Sequence, residues 1–186
     1  MALSKIDVAN MLTGTTPVAN GGTGATSFTA GITMADQWRL TTSFAGDANP
    51  IGSNWERNDT DFAQIGTGLT ESSGTFSFPS TGIYKIEFDH LGTTESNNPS
   101  RFNEAHIRVT TDNSTYNVRA VSSTLGITTG GGNGQFSDYC CCIVDVTNTS
   151  NVKFRVSVDK ADNGTSTIGF SDRQGTGITV IRLGDT

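Results

Sequence analysis

From Met34 to Gly184 the chain keeps returning to one rhythm, an apolar residue at every second position, which is the period of a β-strand half buried against a core. MADQWRLTTSF puts Trp38, Leu40, Thr42 and Phe44 on one side. GIYKIEFDHL sets Tyr84, Ile86, Phe88 and His90 against Ile83, Lys85, Glu87 and Asp89. AHIRVTTD groups Ala105, Ile107 and Val109, TYNVRAVSS groups Tyr116, Val118 and Ala120, and TDNST between them predicts a hairpin. NVKFRVSVD turns Val152, Phe154, Val156 and Val158 inward and Lys153, Arg155 and Ser157 outward. The end, STIGFSDRQGTGITVIRLG, predicts a last pair of strands around RQGTG. Scarcely any helical period follows residue 12, so about eight short strands at this spacing predict an all-β sandwich or jelly roll.

One segment is apolar on both sides. In FSDYCCCIVDV, Cys140, Cys142, Val144 and Val146 alternate with Tyr139, Cys141 and Ile143. A sandwich core takes one face of a strand, so the second apolar face predicts contact with another subunit. Tyr139, Cys141 and Ile143, with Phe76, Gly82, Tyr84, Ile86 and Phe88, are therefore the residues expected at a subunit interface or in the core. Three consecutive cysteines fit neither a disulfide framework nor spaced zinc ligands, and are expected to stay reduced.

The first 33 residues do not share the rhythm. LSKIDVANML can form about two helical turns, with Ser4 as cap and Leu3, Ile6, Val8 and Met11 as apolar anchors. TPVANGGTGATSFTAG then offers only Val18 and Phe28 as sizeable apolar groups, against a backbone ordering cost of about 1 to 2 kcal/mol per residue. Such a segment orders on a partner. Gly21, Gly22 and Gly24 permit close backbone approach, and Pro17 stiffens the entry. The expected organisation is an extended N-terminal arm over 1–33 and a jelly-roll trimerisation domain over 34–186.

Composition narrows the functions. At 186 residues there is room for one sizeable core, and 34% hydrophobic residues with 22 glycines favour strands and turns. A net charge of −6 argues against coating nucleic acid or an anionic membrane. No run of eighteen apolar residues spans a bilayer and no signal-peptide core opens the chain, which predicts assembly in a cytoplasm without membrane insertion. GGTGAT lacks the third glycine of a dinucleotide loop, DKADNG misses the calcium-loop spacing, and the two histidines, His90 and His106, form no catalytic constellation. The expectation is a non-enzymatic protein with no cofactor or metal.

Two stretches resemble known families. Phe76, Pro79, Gly82 and Tyr84 in FSFPSTGIYKIEF give the spacing Phe-x-x-Pro-x-x-Gly-x-Tyr, which resembles the central strands of complement-type heads in the tumour necrosis factor superfamily, with Ile86 where a second aromatic is usual. The resemblance covers 34–186 and implies a tumour necrosis factor-like jelly roll in a tight homotrimer. PVANGGTGAT resembles a segment near the N-terminus of tailed-bacteriophage fibres and other virion surface proteins. That implies a structural protein of the virion surface, made in the host cytoplasm and held by its arm to capsid or tail proteins. Capsid decoration is the first expectation, since fibres usually carry a long shaft. A fibre tip recognising a host surface glycan through TTESNNPSR and GITTGGGNGQ is the second, and the ligand-binding head of an extracellular protein the third.

Overall fold

Among the described residues the chain forms twelve strands in two sheets. The computed structural model describes residues 31–95, 100–126, 132–161 and 164–186. The strands are β1 (Ala35–Leu40), β2 (Phe44–Ala45), β3 (Trp55–Arg57), β4 (Thr70–Ser72), β5 (Thr75–Ser77), β6 (Gly82–Thr94), β7 (Ser100–Thr110), β8 (Asn117–Gly126), β9 (Gly134–Val146), β10 (Lys153–Lys160), β11 (Thr165–Thr167) and β12 (Gly177–Gly184). One sheet runs β2-β11-β6-β12-β1-β3, with β9 along the other edge of β6, and the second runs β4-β5-β10-β7-β8. The described pairings are antiparallel, and Ile32–Thr186 forms one compact unit. Residues 1–30 of the expected arm fall outside the described residues.

The core lies between the sheets and is built from the inward parity of each strand. Leu40, Phe76, Tyr84, Ile86, Phe88, Ile107, Phe154, Val156, Ile178 and Val180 are fully buried. Phe76 stacks on Phe154 at 5.1 Å, while Trp38 and Trp55 meet Phe76 edge-on at 5.7 and 5.5 Å. Such aromatic pairs add about 0.5 to 1.5 kcal/mol beyond the area they bury. Gly82 opens β6 at φ 145°, and a Cβ there would sit 2.7 Å from the Gly184 carbonyl oxygen. That position therefore demands glycine.

Three expectations are corrected. Val118 does not share a face with Ala120, because the β7–β8 ladder slips between Ile107↔Ala120 and Arg108↔Val118. Arg119 is the extra residue of a bulge, so the parity of β8 flips and Val118 is exposed. The strands flanking RQGTG do not pair with each other. Both lie along the same side of β6, β12 at Ile83–Asp89 and β11 at Gly92–Thr94. The strand at Trp38 ends at Leu40, and Phe44 belongs instead to β2, against β11.

Candidate assembly face

On the seven-stranded sheet, the side away from the core is laid out by register. Gln37, Thr179, Glu87 and Cys141 form one row, and Ala35, Ile181, Lys85 and Ile143 the next. Tyr139 donates its hydroxyl to Glu87 Oε1 at 2.7 Å, and Lys85 Nζ lies 2.6 Å from the same oxygen. Lys85 and then Tyr139 hold the Glu87 carboxyl below its ordinary range, and the Glu87 carboxylate pushes the Tyr139 phenol up. The row is fixed by these bonds, yet Tyr139 is 48% and Ile143 66% exposed.

The apolar exposure continues round the flank. β8 lies beside β9, and after the bulge it turns Val121 (55% exposed) and Leu125 (59%) outward, with Val118 also exposed. Among the described residues β8 pairs only with β7 and β9 only with β6, so each keeps one edge without a ladder partner. Two long unpaired edges and five exposed apolar side chains are what an isolated domain avoids. The arrangement suits burial against another copy.

The sequence-derived site residues divide cleanly. Tyr139, Cys141 and Ile143 stand on this exposed face, whereas Phe76, Tyr84, Ile86 and Phe88 lie in the core, so the strand GIYKIEF brings no aromatic side chain to the surface. What β6 presents outward is Ile83, Lys85, Glu87, Asp89 and Leu91. Cys140 is buried, Cys142 half-buried and Cys141 exposed, and all three are free thiols. Burial pushes the Cys140 thiol up to about 12 and that of Cys142 up to about 11. Leu3, Ile6, Val8, Met11, Pro17, Val18, Gly21, Gly22, Gly24 and Phe28 lie outside the described residues.

Polar chemistry inside the roll was not visible in advance. His90 Nδ1 is 3.2 Å from Asp138 Oδ2 and its Nε2 is 3.1 Å from Thr167 Oγ1. Lys160 Nζ donates to that same Thr167 oxygen at 2.9 Å and to the Thr165 carbonyl at 3.3 Å. The order carboxylate, imidazole, hydroxyl is that of a nucleophile triad, but His90 is 1% exposed and Thr167 is fully buried. The set ties β6, β9, β10 and β11 together. Burial lowers the pKa of His90, and pushes the Lys160 ammonium down to about 8. Among the described residues, no group of three or more His, Cys, Asp or Glu could hold a metal ion.

No protein-family model matches the chain, and no curated protein matches it. Solved structures do. Eiger TNF from S. frugiperda superposes with a TM-score of 0.61 at 14% identity, over 83% of this chain and 95% of that one. The fold is a tumour necrosis factor-like jelly roll. Murine APRIL superposes on the same roll with TM-scores of 0.56 at pH 8.5 and 0.57 at pH 5.0, at 11% identity, over 81% of this chain and 98% of APRIL. The likeness holds despite the low identity, because the fold is carried by strand parity and register rather than by particular side chains.

Proposed function

We propose that the chain is a homotrimeric head of a tailed-phage virion surface, assembled through the β8–β9 flank and tethered through its N-terminal residues. The observation that carries the trimer is that two unpaired strand edges lie side by side, with Tyr139 and Ile143 exposed on the outer face of one sheet and Val118, Val121 and Leu125 on the outer face of the other. A tumour necrosis factor-like roll typically assembles as a threefold trimer. Burying such a flank at about 25 cal/mol per Å² supplies ample driving force for an interface of ordinary size.

The virion placement is supported by the resemblance of PVANGGTGAT to phage surface proteins. The roll has the polarity this role needs. Met34 accepts a backbone bond from Arg182 at 3.0 Å, at the end where Gly82 faces Val146. The strand ends that flank residues 96–99 and 127–131 meet at the opposite end, where Thr94 faces Gly134 and Ser100 faces Gly126. A body entered at one end offers the other to the medium. Within this role we favour capsid decoration, with a fibre tip as the reading that the glycine-rich segment supports.

Native mass spectrometry of the full chain should show a trimer, and Ile143→Asp with Val121→Asp should release monomers with a retained β-sheet spectrum. A monodisperse wild-type monomer at micromolar concentration overturns the proposal. Copy number per purified particle separates the two attachments. A decoration protein scales with the capsid lattice, a fibre tip with the symmetry of the tail.

A further inference from the structure

The outer face of the five-stranded sheet carries cations without counter-ions. Arg155 on β10 stands directly opposite Arg108 on β7, and Lys153 follows on the same face of β10. Like charges placed opposite each other destabilise a sheet. In a chain of net charge −6, neutralising carboxylates are not scarce, yet among the described residues none of the three cations forms an ion pair. Arg108 Nε donates to Ser157 Oγ at 2.8 Å, and Arg155 Nε to Thr75 Oγ1 at 2.9 Å. The Lys153 ammonium has no hydrogen-bond partner among the described residues.

Lys153 and Arg155 line a groove of about 350 Å³, together with Tyr116, Asn113, Glu71 and Thr75. The Arg155 guanidinium lies 3.8 Å from the centroid of the Tyr116 ring, which fixes its plane. The loop that delivers Asn113 and Tyr116 is held by Asp112, whose Oδ1 accepts bonds from the Ser114 and Thr115 amides at 2.9 and 2.8 Å and from Thr110 Oγ1 at 2.7 Å. Opposite, Glu71 Oε1 accepts the Gly74 amide at 2.6 Å. The walls are thus set before any ligand arrives, which lowers the cost of binding.

We propose that this groove binds an acidic sugar, its anionic group against Lys153 and Arg155 and its hydroxyls against Asn113, Thr75 and Glu71. The mixture of groups decides the class. A polyanion such as nucleic acid would meet the Glu71 carboxylate and the overall negative charge, whereas a singly charged sugar offers one anion and several hydroxyls that both donate and accept. Carboxylate and phosphate satisfy the cations equally. The assignment goes beyond the trimeric-head reading and does not depend on it, because the groove is lined from β4, β5, β10 and the loop before β8, and no residue of β8 or β9 lines it.

The full chain, titrated calorimetrically with 3′-sialyllactose and with mannose 6-phosphate, should bind at least one saturably, and the preferred probe identifies the anion as carboxylate or phosphate. The neutral parents, lactose and mannose, should bind at least about tenfold more weakly. Lys153→Ala should cost about tenfold in affinity with an unchanged melting temperature, since the Lys153 ammonium has no partner among the described residues and the backbone pairing of β10 is kept. Ile143→Asp, on the other sheet, should leave the affinity unchanged, so that failure of the trimer and failure of this site are read separately. Absence of saturable binding by both acidic sugars, equal binding of the neutral parents, or an unchanged affinity in Lys153→Ala overturns the proposal.

Discussion

Asp36 shows how a single polar residue can be structural. It is 1% exposed, and its carboxylate accepts the Leu69 amide at 2.7 Å, the Trp38 indole at 3.0 Å and the Arg57 guanidinium at 2.9 Å. Removing the carboxylate leaves the half-buried Arg57 without its counter-ion and the Leu69 amide and Trp38 indole without an acceptor, and leaving a buried donor unsatisfied costs about 1 to 3 kcal/mol. Asp36→Ala should therefore lower the denaturant midpoint sharply, measured by chemical unfolding, whereas Arg173→Ala, whose ion pair with Asp172 is exposed, should not. Lys160 makes the opposite kind of contribution. Its folded pKa is about 8 against 10.5, so between those values the unfolded chain holds a proton that the folded chain has released, and stability from this group rises with pH. The buried Cys140 and Cys142 thiols act against it above pH 9, where the unfolded thiols ionise first. Lys160→Met should thus be worth most below pH 8, and its stability difference from wild type should shrink as pH climbs to 10.5. An unchanged difference across that window would exclude the desolvated ammonium as the cause.

At the scale of the element, parity was the most legible feature. The even residues of β9 that face the core and the odd residues that face out can be read from FSDYCCCIVDV, and the same rule places Asp36 beside Trp38, His90 beside Phe88 and Lys160 in phase with Val158. The buried polar residues were therefore signalled by position, but hidden by their chemistry, since a charged letter in an alternating run reads as solvent-facing until its partners are known. Bulges break parity without leaving a composition signal, and for that reason the outward turn of Val118 was missed. Pairing partners were equally opaque around RQGTG, because two short strands separated by a turn can lie end to end along a third. The β4–β5 hairpin obeys local chemistry more simply. Ser73 and Gly74 both have positive φ, 50° and 77°, and a Cβ on Gly74 would run into the Ile51 carbonyl oxygen. Gly74→Ala should lower stability by about 1 to 3 kcal/mol, and hydrogen exchange should localise the loosening to β4 and β5.

At the scale of the whole molecule, β12 occupies the middle of its sheet, between β6 and β1, although it is the last strand in the chain. During synthesis, β1 waits for a neighbour that is made only with Gly177–Gly184. Contacts of such long sequence separation fold slowly, because the loop entropy is lost before the ladder returns it. A chain stopped before Gly177 should accumulate as an aggregate, and a nascent chain should remain protease-sensitive across β1 until Gly177–Gly184 has cleared the ribosome. The sheet in this sense closes only once β12 has been made, which makes that strand the checkpoint that separates folded subunits from nascent ones before any assembly begins.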